Sequence, residues 1–125
     1  MSRVYCPCMT IRTCSGTVQK GEGRASTLGF PTVNIPLPDA DVSGVFAGVV
    51  RHKDREYHAA IFADPPRGLL EAYLLDFDED LYGQEVSMTL LRKLRDSKPF
   101  SSDEELRVMI GNDVEAVRRY LTKLP

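Results

Sequence analysis

Short runs of apolar residues, broken by polar turns, dominate about the first 95 positions of the chain. The runs, rich in aliphatic and aromatic residues, cover residues 10–18, 45–51, 57–62, 69–77 and 86–94. Runs of this length between Gly, Pro and charged residues are typical of β-strands. The charged residues 52–56 separate two of the runs and predict a hairpin turn.

The last quarter of the chain has a helical period instead. Its apolar residues recur at spacings of three and four, which predicts one helical face: Leu106, Ile110, Val114, Val117 and Leu121. Ser101 and Ser102 precede three acidic residues and predict a capping box, with Phe100 as its hydrophobic staple. Gly111 and Asn112 are expected to divide the helical region into a short and a longer helix. Strands followed by a terminal helix predict a small closed barrel with a helix packed on it.

Composition narrows the class of protein. The chain has 125 residues, of which 42% are hydrophobic and 27% charged, as expected for one soluble domain. We expect an N-terminal arm, residues 1–14, that is partly flexible, and a folded domain over residues 15–125. A net charge of −2 argues against a nucleic-acid partner. The absence of an apolar run of about 18 residues argues against a membrane span.

Cysteine usage indicates a reducing compartment. Cys6, Cys8 and Cys14 all lie near the N-terminus, and an odd number in so short a chain argues against a disulfide scaffold. The two histidines, His52 and His58, complete no recognised zinc spacing with them. We therefore expect reduced thiols on a loose arm and a cytoplasmic protein.

A glycine-rich loop follows the first predicted strand. Glycines at 21, 23 and 29 would let backbone N–H groups approach phosphate oxygens, and Lys20 and Arg24 add positive charge. The spacing matches neither a Walker loop nor the GxGxxG pattern. A simple turn is the alternative interpretation.

Thr32 and Asn34 follow Pro31 in an extended segment. Side chains alternate along an extended chain, so these two should point to the same side. A hydroxyl and an amide oxygen are hard ligands suited to a Mg²⁺ ion that keeps waters and phosphate oxygens. The alternative is that both side chains only satisfy a turn after Pro31.

Glu71 stands among apolar residues of the fourth predicted strand. A carboxylate in such surroundings is costly unless it is paired or used, and burial would raise its pKa toward that of a general base. An edge-strand glutamate that faces water is the alternative.

Two further charged features are less specific. The acidic run at residues 76–80 could hold a cation or form a solvated turn. Arg95, near the end of the last predicted strand, could clamp a phosphate, stack on a ring or simply lie at the surface.

Taken in order, these features resemble the ATP-dependent riboflavin kinases from about Ser15 to Leu121. The most specific string is Leu-Gly-Phe-Pro-Thr-Val-Asn at residues 28–34. Downstream, Glu-Ala-Tyr-Leu-Leu-Asp-Phe at 71–77 and Asp-Leu-Tyr-Gly at 80–83 also match. The stretch from residue 94 to 100 completes the resemblance.

The resemblance implies a fold and a set of site residues. The fold would be all-β, a six-stranded Greek-key closed barrel with C-terminal helices alongside. Thr32 and Asn34 would bind Mg²⁺, with Zn²⁺ or Mn²⁺ as alternative metals, and Glu71 would be the catalytic base. Tyr82, Gly83 and Arg95 would border the flavin. The residues that would bind ATP are Gly21, Gly23, Arg24, Leu28, Gly29, Pro31, Thr32 and Asn34.

The implied reaction is transfer of the ATP γ-phosphate to the 5′-hydroxyl of riboflavin. Its products would be FMN and ADP, and we expect a monomer with no nucleic-acid or membrane partner. Of two departures from the family, the second favours an alternative, a flavin- or nucleotide-binding barrel without turnover. Ala25 replaces a glycine, and the shorter segment 62–68 replaces a loop that in the family helps to form the nucleotide pocket wall. A barrel used only for protein interaction is a third possibility, but it would not explain a glycine loop together with a buried glutamate.

Overall fold

The computed structural model describes residues 12–19, 32–37, 42–75, 81–97, 99 and 101–122. Within these residues a 3₁₀ turn, Pro65–Arg67, joins the fourth strand to the fifth. The strands and the helix occur in the order β1 (Arg12–Thr17), β2 (Thr32–Pro36), β3 (Gly44–His52), β4 (Arg55–Asp64), β5 (Leu69–Leu74), β6 (Glu85–Arg95) and α1 (Asp103–Thr122).

The six strands of the described chain form one antiparallel sheet in the order β1-β6-β3-β4-β5-β2. The sheet is curled into a half-barrel, and an isolated bridge connects Gln19, two residues beyond β1, to Asn34 in the middle of β2. The predicted all-β architecture with six strands and a C-terminal helix is therefore confirmed.

Each face of the sheet buries its own apolar cluster. Side chains alternate between faces along a strand, so β5 sends Leu70, Ala72 and Leu74 to one face and Tyr73 to the other. The first face, here called the inner face, lines the concave core with residues such as Ile35, Ile61 and Met88. The second, called the outer face, packs against α1. The outer cluster includes Ala47, Ala60, Tyr73 and Leu91 from the sheet with Ile110, Val117 and Leu121 from the helix.

The curl of the sheet depends on close approach between β3 and β6. Their register shifts between Val45 and Phe46 and again between Ala47 and Gly48. A Cβ atom at Gly48 would overlap the carbonyl oxygen of Thr89 on β6 and lie 2.7 Å from Ile61 Cδ1. Only glycine fits here without displacing backbone, which is typical of strands that bend at a bulge.

The helix α1 is continuous from Asp103 to Thr122, so the predicted interruption at Gly111 and Asn112 is wrong. A glycine within a helix costs about 1 kcal/mol relative to alanine. Burial of Ile110 and Val117 on either side of Gly111 outweighs that cost, because packing of an apolar face provides most helix stability in proteins.

The predicted helix start is confirmed. The Ser102 hydroxyl accepts a hydrogen bond of 3.1 Å from the backbone N–H of Glu105, as in a capping box. The Glu105 carboxylate in turn accepts a bond of 2.8 Å from the Ser101 hydroxyl. The proposed staple residue, Phe100, lies outside the described residues.

The sheet begins earlier than the predicted domain boundary. β1 starts at Arg12, and Cys14 packs in the inner cluster, so residues 12–14 do not belong to a loose arm. An apolar thiol at an inward position of a strand is removed from water like any small hydrophobic side chain. Cys6 and Cys8 lie outside the described residues. In the described part of the chain, no helix has the length and apolar character needed to cross a membrane.

Two glycine substitutions should change stability in opposite directions. Gly48→Ala should lower the free energy of unfolding by about 1–3 kcal/mol, because the new methyl group overlaps β6. Gly111→Ala should raise it by about 0.5–1 kcal/mol, because nothing lies within 4 Å of the added Cβ and the helix backbone loses less entropy. Urea denaturation followed by circular dichroism measures both, and equal stabilities for the two variants would contradict the described β3–β6 contact.

Candidate active site

Four side chains from β2 and β5 form a polar group on the outer face. Thr32 is the cross-strand partner of Tyr73, and Asn34 is the partner of Glu71. Directly opposite residues of antiparallel strands share a face, so all four lie on the side of the sheet that carries α1. The prediction that Thr32 and Asn34 point to the same side is confirmed. We call these four residues the polar quartet.

A hydrogen bond joins Tyr73 and Glu71, the two residues of the polar quartet on β5. The Tyr73 hydroxyl donates to Glu71 Oε1 at 2.9 Å. Burial raises the pKa of Tyr73 well above its usual range, and the negative charges of Glu71 and, to a smaller extent, Asp113 raise it further. Tyr73 therefore keeps its proton and acts as the donor, while Glu71, which is half-buried, presents an oriented carboxylate.

On β2, the other strand of the polar quartet, the Asn34 side chain provides a buried hydrogen-bond acceptor. The residue is only 3% exposed, and its buried Oδ1 atom has no hydrogen-bond partner within the described part of the chain. An unsatisfied buried acceptor costs about 1–3 kcal/mol, so such atoms call for an explanation. A carbonyl oxygen beside the Thr32 hydroxyl fits a hard cation or a donor group on a ligand.

The donor set fits a magnesium-type ion that is shared with a phosphate. No group of three His, Cys, Asp or Glu side chains in the described residues is arranged to hold a metal ion. Thr32 and Asn34 would thus supply two neutral oxygens, and phosphate and water oxygens would complete the shell that Mg²⁺ prefers.

An open cleft of about 520 Å³ lies next to Asn34. It is lined by Thr17, Val18, Gln19, Pro36, Tyr82 and Gly83. The backbone N–H of Gln19 donates to the Asn34 carbonyl oxygen at 2.7 Å, and Pro36 is two residues beyond Asn34 on β2. The cleft therefore lies beside the Asn34 backbone.

Tyr82 and Gly83 form the turn that bounds this cleft. Gly83 has a φ of 82°, a left-handed conformation that favours glycine. Its N–H donates to the Val18 carbonyl oxygen at 3.0 Å, which ties the turn to the end of β1. The Tyr82 side chain is 62% exposed, so its ring borders the cleft from the solvent side.

Arg95 lies elsewhere, at the far end of β6 from this turn. The 11 residues of β6 span about 33 Å, so the structure does not bring Arg95 together with Tyr82 and Gly83. The guanidinium group instead donates to both carboxylate oxygens of Asp113 on α1, at 2.8 and 2.7 Å. The bond to Asp113 raises the pKa of Arg95 although partial burial lowers it.

The remaining predicted nucleotide residues lie outside the described part of the chain: Gly21, Gly23, Arg24, Leu28, Gly29 and Pro31. The acidic residues 76–80 are also outside it.

Sequence reasoning missed Tyr73 and Asp113. The alternation of β5 places Tyr73 on the same face as Glu71, and this signal could have identified it. Asp113 is 5% exposed and lies between Ile110 and Val117 on the buried face of α1. A charge within an apolar helical stripe requires a buried partner, which here is Arg95.

Comparisons with known proteins point to one family. The family model described as Flavokinase: Riboflavin kinase matches residues 10–121. The chain is 32% identical over 116 residues to the RNA-binding riboflavin kinase RibR of Bacillus subtilis, covering 84% of this chain and 49% of that protein. It is 35% identical over 125 residues to the bifunctional riboflavin kinase/FMN adenylyltransferase of Escherichia coli K12, covering 87% of this chain and 38% of that protein. The chain thus spans less than half the length of these two relatives.

Solved structures share the fold. Riboflavin kinase from Trypanosoma brucei has a TM-score of 0.62 and 27% identity, and the match covers 89% of this chain and 80% of that one. A macrolide-efflux protein from Streptococcus pneumoniae has a TM-score of 0.73 and 29% identity, covering 85% of this chain and 38% of that one.

The Arg95–Asp113 ion pair should stabilise the contact between helix and sheet. Asp113→Asn should lower the free energy of unfolding by about 1–3 kcal/mol, because it leaves a partly buried guanidinium without its counter-charge. The matched control is Asp96→Asn, since Asp96 pairs with Lys93 at the surface. The control should leave the urea midpoint unchanged, and equal midpoints for both variants would contradict a structural role for the pair.

Proposed function

Because the chain belongs to the riboflavin kinase family, we propose that it transfers the γ-phosphate of ATP to the 5′-hydroxyl of riboflavin. The products are FMN and ADP. One observation supports this most directly: the buried Asn34 side-chain oxygen, which has no hydrogen-bond partner among the described residues, lies across the β2–β5 pairing from Glu71. A cation ligand beside a proton acceptor is the arrangement that phosphoryl transfer to an alcohol requires.

Thr32 and Asn34 are the residues that would hold the divalent metal in this proposal, which is Mg²⁺, with Zn²⁺ or Mn²⁺ as alternatives. The bound ion would neutralise charge on the ATP phosphates. By the family resemblance, the residues proposed to bind ATP also include Gly21, Gly23 and Arg24, which lie outside the described part of the chain. Leu28, Gly29 and Pro31 form the remainder of this nucleotide segment.

Glu71 is the general base. Its carboxylate accepts the proton of the riboflavin 5′-hydroxyl as that oxygen attacks the γ-phosphorus. The protein does little covalent work in such a reaction and contributes mainly by positioning the two substrates in line. A base positioned on a central strand suits this task, because strands hold side chains more rigidly than loops do.

The flavin would occupy the cleft bounded by Tyr82 and Gly83. An aromatic ring at the cleft border suits stacking against a planar, conjugated ligand. Arg95 is a flavin contact only on the strength of the family resemblance. Its bidentate bond to Asp113 supports a role in the helix–sheet contact instead.

The fold we propose for the whole domain is a closed Greek-key barrel. The Gln19–Asn34 bridge is the point at which a Greek-key barrel would close, since β1 and β2 are the two ends of the strand order. We propose a monomer that works in the cytoplasm, which agrees with three cysteines in the whole chain and an inward-facing Cys14.

A flavin- or nucleotide-binding barrel without turnover is the second candidate function. The observation that favours it is the tight connection between β4 and β5. There a 3₁₀ turn ends at Gly68, whose carbonyl oxygen accepts a bond of 2.8 Å from the Leu37 N–H. This compact turn stands where the family has a longer loop at the nucleotide pocket.

The Glu71→Gln variant separates the two candidates. The wild-type protein, incubated with riboflavin, ATP and Mg²⁺, should form FMN that chromatography detects. Glu71→Gln should lower kcat by about 10²- to 10⁴-fold, because an amide cannot take the proton. Riboflavin binding, followed by quenching of flavin fluorescence, should change little, since the loss affects the transition state.

The control for this experiment is Glu85→Gln, the same substitution at an exposed position that begins β6. It should keep wild-type turnover. Full turnover in Glu71→Gln would show that the base lies elsewhere. Tight flavin binding by the wild type without FMN from any nucleoside triphosphate would establish the binding barrel.

Asn34→Ala and Thr32→Ala test the metal assignment. Each should lower turnover by about 10²-fold or more, because the loss of a metal ligand removes several kcal/mol of charge stabilisation. Asn112→Ala, at an exposed helix position, is the control. The measurement is FMN formation at saturating Mg²⁺, and near wild-type turnover in either site variant would refute the assignment.

A further inference from the structure

The hydrogen bond from Tyr73 to Glu71 has a chemical consequence for the proposed base. The two residues are two positions apart on β5, and the Tyr73 hydroxyl donates to Oε1 at 2.9 Å. We propose that Tyr73 is a positioning residue for Glu71: its hydroxyl donates to Oε1 and fixes the plane of the carboxylate. This inference rests on the proposed function, in which Glu71 is the general base.

Tyr73 is held firmly enough to position another side chain. It is 7% exposed and belongs to the outer cluster, where Ala47, Ala60 and Leu91 of the sheet and Ile110 of α1 are its companions. A tyrosine has only two side-chain torsions, and burial between two packed layers restricts both of them. Because the ring cannot move, its hydroxyl imposes a direction on the Glu71 carboxylate.

The hydrogen bond between Tyr73 and Glu71 has one direction. A phenol hydroxyl carries a proton to donate, whereas an ionised carboxylate only accepts, so the Tyr73 hydroxyl donates to Glu71 Oε1.

The proposed phosphoryl transfer moves one proton and replaces one phosphorus–oxygen bond with another. The riboflavin O–H bond breaks and its proton moves to the Glu71 carboxylate. The freed oxygen forms a bond to the γ-phosphorus while the bond from that phosphorus to the ADP oxygen breaks. Tyr73 keeps its own proton throughout and donates to Oε1 before and after the transfer. Its contribution is orientation, which accelerates a reaction only when the base is present.

Tyr73→Phe removes only the hydroxyl and tests this role. We expect kcat to fall by about 10- to 100-fold while the KM values for riboflavin and ATP stay within about twofold. Tyr120→Phe is the matched control: Tyr120 also packs at the outer cluster, where its ring lies 5.4 Å from the Arg92 guanidinium carbon. The control should keep wild-type kcat. Thermal melts of both variants report whether either has lost its fold.

The decisive measurement repeats Tyr73→Phe in the Glu71→Gln background. If Tyr73 acts through the carboxylate, the second substitution should lower kcat by less than about twofold there, because residues acting as a unit are strongly non-additive. A drop of the same factor in both backgrounds would show a merely structural effect and overturn the inference. So would a change in KM alone or an unchanged kcat in Tyr73→Phe.

Failure of the inference can be told apart from failure of the proposed function. Loss of turnover in Glu71→Gln together with full turnover in Tyr73→Phe overturns the inference alone. Full turnover in Glu71→Gln, or no FMN from the wild type, overturns the proposed base or activity, and the positioning role with it.

Discussion

The pairing register between β2 and β5 is the constraint on which the candidate site depends. It sets Thr32 opposite Tyr73 and Asn34 opposite Glu71. Because side chains alternate with a period of two, a slip of one residue would send Asn34 into the apolar core and bring Val33 and Ile35 out. The cost of burying an amide in place of two large apolar side chains fixes the register. The same hydrophobic pattern that folds the sheet thereby assembles the polar quartet.

The helix α1 covers the outer face of the sheet, and its packing is a second constraint on the candidate site. Its apolar stripe covers the middle of the sheet, and the Arg95–Asp113 pair fixes its orientation at the end of β6. The pair is costly to bury, but its bidentate geometry satisfies both charged groups, and such pairs specify one arrangement more than they add stability. Asp113 also acts on the site, because its charge helps to keep Tyr73 protonated. Helix packing and site chemistry therefore share one residue.

Local patterns predicted much of this structure. Runs of β-forming residues located five of the six strands, and simple alternation predicted the shared face of Thr32 and Asn34. The serine before the acidic turn predicted the start of α1. The failures involve long-range contacts. Gly111 was interpreted from its helix propensity alone, whereas packing against the sheet keeps the helix continuous. For Arg95 the local sequence predicts a phosphate clamp, a ring contact or a surface position, because its partner Asp113 lies 18 residues away on another element.

The two strands of the site are anchored to different degrees. β5 pairs along its length with β4 on one side and β2 on the other. β2, with five residues, pairs with β5 and is joined to the other end of the sheet at Gln19 by one isolated bridge. Among the described residues, the junction at Gln19 has fewer paired positions than the β4–β5 pairing. Local opening of β2 therefore costs less free energy than local opening of β5. Glu71 therefore lies on the more firmly held strand and Asn34 on the more adaptable one. This division suits the proposed reaction, in which Glu71 would stay in line with a hydroxyl while β2 would accommodate a phosphate and its cation.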